Sequence, residues 1–198
     1  MDEELIAECH RLLRDGFPDE LPERRVLRDE HDFIPLGLDV DGDIAVVAML
    51  RWWKGPPERP SRLPQPRPLI DVRPFLRLGG NWSSLGGGGG LVPEYPLTDR
   101  PAAAHLGGHL RHHGAGSTYA GDTSLDTDLY ISHARIRAAA EIDRVQVGAR
   151  LLPVPFHGHV VVVWPGRHAP TIDALAADGT RLVSLTIDSD RESGGRFQ

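Results

Sequence analysis

Histidines are the residues of this sequence that could most readily do chemistry, and their spacing defines two groups among the ten. The first group is His105, His109 and His113, which are spaced four residues apart. On a continuous helix the three imidazoles would share one face, and two imidazoles at this spacing can bind one metal ion. Gly107 and Gly108 interrupt that helix and weaken it by about 1 kcal/mol each relative to alanine. A solvated loop without a ligand is therefore the competing interpretation.

The second group is His157 and His159, on either side of Gly158. The two-residue period of a strand would place both rings side by side on one face, as in β-barrel enzymes that bind a metal through His-x-His. His133, or a histidine of the first group, could supply a third ligand. This pattern predicts zinc or another divalent transition metal. The alternative is that no cofactor is bound and the pair occupies the polar face of an amphipathic strand.

Three tryptophans form a candidate binding surface. Trp52 and Trp53 are adjacent, so on a strand they point to opposite faces, one into the core and one towards a partner or ligand. Trp82 lies in a glycine-rich segment beside polar residues and could stack on a ligand. Anchoring of that segment to the core is the alternative role for Trp82.

Other chemistry has little support in the sequence. The single cysteine, Cys9, falls on the apolar face of a predicted helix, where a thiol is inert. The glycine run at 86–90 lacks the Gly-Lys-Ser/Thr ending of a phosphate loop, and there is no Gly-x-Ser-x-Gly nucleophile motif. A formal net charge of -6 argues against a nucleic-acid partner.

The elements that must position these residues are mainly strands. Residues 3–15 predict an amphipathic helix that ends at Gly16. Asp41-Gly42 and Asp178-Gly179 predict two-residue hairpin turns of type I′, in which both residues have positive φ. Apolar runs predict strands at 33–40, 43–53, 69–78, 129–137, 142–152, 157–164, 171–177 and 180–187. Short turns between successive strands favour an antiparallel sandwich or barrel.

The predicted organisation is an N-terminal helix over 1–16 and a single β-rich domain over 33–187. A long irregular insertion at 79–127, with one short helix at most, interrupts the domain, and 188–198 form a frayed tail. If the chain has a site, we expect it where this insertion meets the sheet.

The sequence leads to two functional hypotheses. One cysteine, an acidic N-terminus and no apolar run long enough to cross a bilayer predict a cytoplasmic protein without a membrane partner. The leading hypothesis is a non-enzymatic intracellular module that binds a protein or a small ligand of unknown identity, with homo-oligomer formation left open. The alternative is a metal-dependent enzyme on a β-barrel or sandwich that uses His157 and His159. Whether the chain is an enzyme is not decided at this point.

Overall fold

The computed structural model describes residues 2–18, 26–29, 31–53, 67–92, 95–121 and 130–187. The predicted tail at 188–198 and residues 122–127 of the predicted insertion lie outside these ranges. The elements are α1 (Asp2–Asp15), β1 (Ile34–Asp41), β2 (Ile44–Trp53), β3 (Arg67–Leu78), β4 (Asn81–Ser84), β5 (Gly88–Leu91), α2 (Ala103–Leu106), β6 (Leu110–Tyr119), β7 (Tyr130–Ala138), β8 (Arg144–Val147), β9 (Arg150–Pro153), β10 (His159–Pro165), β11 (Ile172–Leu175) and β12 (Arg181–Leu185). The predicted fold class, mainly β with an N-terminal helix, is confirmed.

The described strands form three antiparallel sheets stacked like a sandwich rather than closed into a barrel. The first sheet has the order β1-β2-β3, with β4 and β5 both paired to the outer edge of β3. The second sheet is β10-β7-β6, and the third is β12-β11-β8-β9. The first sheet packs on one face of the second, and the third sheet packs on the other.

The central strand β2 is buried on both faces, as its continuous apolar run predicted. Its even-numbered residues pack with Val161 and Val163 of β10 in the core between the first and second sheets. Its odd-numbered residues pack against Leu5, Cys9 and Leu12 of α1. Burial raises the pKa of the Cys9 thiol to about 12, so this cysteine is the inert core residue that the helix pattern indicated.

The first predicted hairpin forms, but its turn lies one residue later than predicted. Asp41 pairs with Ile44, so the two-residue loop is Gly42 and Asp43. Gly42 has a φ of 63°, and no described residue other than glycine has a positive φ, which excludes a type I′ turn. Arg77 donates from Nε to Asp43 Oδ1 at 2.8 Å and joins this turn to β3.

The second predicted hairpin has a longer loop than the two residues expected. Leu175 pairs with Arg181, and residues 176–180 lie between them. The backbone N–H of Thr180 donates to Asp178 Oδ1 at 2.8 Å, and Gly179 has a φ of 84°. The Asp side chain therefore shapes a wider turn instead of occupying a type I′ position.

Residues 79–121 are more regular than the predicted insertion, because they contain β4, β5 and β6 besides the short helix α2. Gly79 and Gly80, with φ values of 57° and 87°, turn the chain from β3 into β4. The later glycines form β5, although glycine weakens an isolated strand. Pairing with β3 holds β5 in place, and that long-range contact is not visible in the local sequence.

Candidate ligand-binding cleft

The first and second sheets separate at their β5–β6 edge and leave an open cavity of about 630 Å³. We call it the glycine cleft. Residues 86–90 form one wall, residues 113–118 form the other, and His133 and Arg135 of β7 lie between them. Cavities of several hundred cubic ångströms are typical of small-molecule sites.

The first wall of the cleft has no side chains. A Cβ atom on Gly89 would lie 2.9 Å from the carbonyl oxygen of Ile70, so this glycine is required for close pairing with β3. Strand alternation turns Gly88 and Gly90 the other way, towards the second sheet. A Cβ on Gly90 would lie 3.5 Å from Nη2 of Arg135, whereas a Cβ on Gly88 would meet nothing within 4 Å. The cleft therefore exists because side chains are absent here.

The second wall is shaped by a bulge in β6 at His113. Bulges redirect side chains and are frequent next to functional sites. The carbonyl oxygen of His113 accepts a hydrogen bond from Nη2 of Arg135 at 3.1 Å. Further along the strand, Gly116 lies under the His133 ring, because a Cβ there would come within 2.9 Å of Cε1.

Arg135 carries a partly buried positive charge that lacks a carboxylate partner in the described part of the chain. Its Nη2 bonds to a backbone carbonyl, and its buried Nε has no hydrogen-bond partner. Burial lowers the pKa of Arg135, but a guanidinium stays charged at all ordinary pH values. The described residues that line the cleft include no Asp or Glu. A buried cation without a counter-ion is unfavourable, so this arrangement is suited to an anion.

His133 is the second polar group inside the cleft. Burial lowers its pKa to about 4, so the ring is neutral at pH 7. Its Nδ1 atom is buried without a hydrogen-bond partner. A neutral imidazole with a free nitrogen can donate or accept one hydrogen bond, depending on its tautomer.

The expected His-x-His pair does not lie on one strand, and that prediction is wrong. Strand β10 begins at His159, and Gly158 has a φ of 73°, which breaks the two-residue period before it reaches His157. The two rings are still neighbours, with centroids 5.6 Å apart. The backbone N–H of His159 donates to Nδ1 of His157 at 3.1 Å. In its neutral form His157 therefore carries its proton on Nε2, which leaves no lone pair there for a metal.

His159 connects this buried pair to the cleft. Its ring centroid lies 6.5 Å from that of His113, and neither of its ring nitrogens has a hydrogen-bond partner. Burial lowers its pKa most, and His157, Arg137 and Arg135 lower it further. A divalent cation would meet the same positive charges. The residues that the structure describes include no group of three or more His, Cys, Asp or Glu able to hold a metal ion.

The predicted helical face of His105, His109 and His113 is also wrong. Gly107 adopts the left-handed conformation, with a φ of 85°, and ends α2 one residue after Leu106. His105 is therefore on a helix of four residues, His109 precedes β6 and His113 lies within β6. Only His113 of this group lines the glycine cleft.

Trp52 is mainly a structural residue. It packs against the core between the first and second sheets, and its ring lies beside Tyr95 with centroids 6.5 Å apart. Its Nε1 donates to the carbonyl oxygen of Leu27 at 3.3 Å. These contacts use both the apolar face and the polar atom of this tryptophan.

The other two tryptophans lie far apart. Trp53 pairs with Arg67 at one end of β3, and Trp82 pairs with Arg77 at the other end. Ten residues of strand separate these positions by roughly 33 Å. Trp82 packs with the α1 core and has the Arg77 guanidinium 5.3 Å above its ring. The three tryptophans therefore do not form one binding surface.

Sequence reasoning named His133 but missed Arg135. The available signal was the alternation of polar residues along 131–137, in a strand that runs through the middle of the second sheet. Polar residues at every second position of an interior strand predict a polar pocket on one face. The glycines opposite them on β6 and β5 gave no such signal, because they resembled a flexible loop.

Two further findings concern the chain as a whole. In the described residues, no helix is both long enough and apolar enough to cross a membrane. Comparison with protein-family models, with curated proteins and with solved structures finds no match to this chain.

Proposed function

We propose that this chain is a binding protein and that its ligand is a small organic molecule held in the glycine cleft. The observation that carries this proposal is the cleft itself, an open space of about 630 Å³ between a glycine wall that lacks side chains and a β6 wall that includes Gly114 and Gly116. Ile70, Val72 and Leu85 supply an apolar surface, while His133 and Arg135 present polar groups from β7. An apolar pocket with a few convergent polar groups is the usual composition of a ligand site.

Binding, rather than catalysis by a serine nucleophile, fits the position of Ser117 beside the cleft. The Ser117 hydroxyl lies 2.6 Å from that of Ser132, and Ser132 in turn donates to the carbonyl oxygen of Gly166 at 2.6 Å. A serine nucleophile needs a neighbouring base within hydrogen-bond reach. Ser117 contacts Ser132 instead, on the face of β7 that is opposite to His133 and Arg135, so its hydroxyl is not placed to act as a nucleophile in the cleft.

The test is to fill the cleft with a side chain. Gly88→Leu adds an isobutyl group at a position where a Cβ meets nothing within 4 Å, and the backbone there does not require glycine. We expect the variant to reduce the affinity for the dye 8-anilinonaphthalene-1-sulfonate at least tenfold in a fluorescence titration. Gly88→Ala, which occupies less space, should give an intermediate affinity.

Thr171→Leu is the control, because it places the same isobutyl group, in exchange for the threonine side chain, at an exposed position just before the third sheet. It should bind the dye as the unmodified protein does. Equal affinity of Gly88→Leu and the unmodified protein would contradict the proposal, provided that circular dichroism shows both to be folded.

A metal-dependent enzyme is the competing proposal, and its support is the proximity of His113, His157 and His159. The two unpartnered ring nitrogens of His159 favour it, whereas the backbone bond to Nδ1 of His157 and the neighbouring arginines oppose it. Metal analysis of protein purified without a histidine tag and dialysed against zinc separates the two. One equivalent of zinc that is lost in His159→Ala would favour the enzyme.

A further inference from the structure

The cleft contains an arginine whose charge the described chain does not neutralise. The carboxylate of the facing strand β3 is Asp71, and it already forms ion pairs with Arg51 and Arg73, each at 3.0 Å. Asp71 also lies on the other face of the first sheet, where its charge and that of Arg73 shift the pKa of the Cys9 thiol of α1. It therefore does not serve as the counter-ion of Arg135.

The groups that surround Arg135 from the neighbouring strands add no negative charge. β6 contributes the carbonyl oxygen and the imidazole of His113, and β10 contributes His159. β5 contributes the bare backbone of Gly90, and β7 itself contributes His133 two residues away on the same face. A positive charge with imidazoles and glycines around it attracts an anion more strongly than a neutral ligand of the same shape.

The donors of Arg135 are also arranged for a carboxylate. Its Nη2 makes one bond to a backbone oxygen, which fixes the plane of the guanidinium, and its Nε is buried, so the outer Nη1–Nη2 edge is the one that a ligand can reach. A carboxylate can bind two N–H groups along one edge of a guanidinium.

We infer that the ligand of the glycine cleft is an organic carboxylate. Its anionic group pairs with Arg135, and its apolar body lies between the glycine walls against Ile70, Val72 and Leu85. The neutral ring of His133 lines the cleft beside Arg135 and lies next to the polar end of the ligand. This inference rests on the proposed function, since it names the chemical class of the molecule that the cleft binds.

The experiment compares two probes of almost the same shape, naphthalene-2-carboxylate and naphthalene-2-carboxamide, by isothermal titration calorimetry. We expect the carboxylate to bind the unmodified protein at least tenfold more tightly than the amide. Arg135→Gln should reduce the affinity for the carboxylate to that for the amide. The same variant should change the affinity for the amide by less than about twofold. Arg135→Lys should keep part of the preference, because an ammonium group retains the charge but not the paired donors.

Arg144→Gln is the matched control, because Arg144 is an exposed arginine on β8 of the third sheet. It should leave both affinities unchanged. Equal binding of the two probes, or a carboxylate preference that persists in Arg135→Gln, would overturn the inference. If in that case Gly88→Leu still lowers the affinity for both probes, the cleft remains a ligand site. If Gly88→Leu has no effect on either probe or on the dye, the proposed function itself fails.

Discussion

The two edges of the interface between the first and second sheets use glycine in opposite ways. At the β1–β10 edge, a Cβ on Gly37 would lie 3.0 Å from Cγ2 of Val161, so this glycine allows the two sheets to close. At the β5–β6 edge, a Cβ on Gly88 would meet nothing within 4 Å, so this glycine leaves space between the sheets. The same residue type therefore seals one edge and opens the other, and only the contacts across the interface distinguish the two roles.

Each edge also contains an arginine, and only the arginine at the closed edge pairs with a carboxylate of the described residues. Arg150 at the closed edge bonds to the carboxylate of Asp39 and to the carbonyl oxygen of Val163. The Asp39 carboxylate also accepts the backbone N–H of Val163 at 2.8 Å. Arg135 at the open edge bonds to one carbonyl oxygen and pairs with no carboxylate in the described residues. The closed edge satisfies its own charge, while the open edge leaves its donors for a ligand.

The largest expected effect comes from breaking the closed edge. Asp39→Ala leaves Arg150 and the Val163 N–H without their buried partner, and we expect the free energy of unfolding to fall by about 3–5 kcal/mol. Arg135→Gln at the open edge removes no ion pair and should change the free energy of unfolding by less than about 1 kcal/mol. Urea denaturation monitored by tryptophan fluorescence measures both variants. A loss of the same size in both would contradict the distinction between the edges.

A smaller effect is expected from pH, and it comes from the imidazoles behind the open edge. Burial, with Arg137 and Arg100, lowers the pKa of His157 to about 3, well below the unfolded value of about 6.5. The unfolded chain therefore takes up a proton below pH 6.5 that the folded chain does not, and stability falls as the pH is lowered towards 3. His157 alone should account for about 2 kcal/mol between pH 7 and pH 5.

Urea denaturation at both pH values, compared between the unmodified protein and His157→Gln, measures this contribution. Between pH 7 and pH 5 the free energy of unfolding of the variant should fall by about 2 kcal/mol less than that of the unmodified protein. Identical losses would show that His157 is not held neutral in the folded protein.

A comparison of the glycines themselves tests the two edges directly, and its smallest expected change is at Gly88. Gly37→Ala places a methyl group against Val161, and we expect it to lower the free energy of unfolding by about 1–3 kcal/mol. Gly88→Ala meets no atom and reduces the freedom of the unfolded chain, so it should raise stability by up to about 1 kcal/mol. Thermal unfolding of the two variants gives the sign of each change, and a stabilising Gly37→Ala would contradict the closed contact.

Local sequence was sufficient wherever one short segment determines its own structure. The apolar face of α1 with Leu5, Cys9 and Leu12 and the buried run of β2 were predictable from periodicity. In the C-terminal third the strands lie where apolar runs predicted them, except that the single strand predicted at 142–152 is the hairpin of β8 and β9. Gly16 ends α1 as expected, with its N–H bonded to the carbonyl oxygen of Leu12 at 2.8 Å. These features depend on neighbours in sequence, which periodicity describes well.

Local sequence failed where one glycine changed the conformation or where distant strands met. Gly107 and Gly158 each break a periodic series of histidines, although the spacing alone indicated shared faces. Arg135 became a candidate only when β5 and β6 were found on opposite sides of it, because its environment comes from residues more than 20 positions away in sequence. A site assembled by long-range pairing leaves only a faint pattern in any one strand.

The most direct test of the central claim is a crystal structure of the protein with a saturating concentration of naphthalene-2-carboxylate. The account predicts the naphthalene rings between residues 86–90 and residues 113–118, with the carboxylate within hydrogen-bond distance of the Arg135 guanidinium. A cleft that stays empty at saturation, or a probe bound elsewhere on the protein, would contradict it.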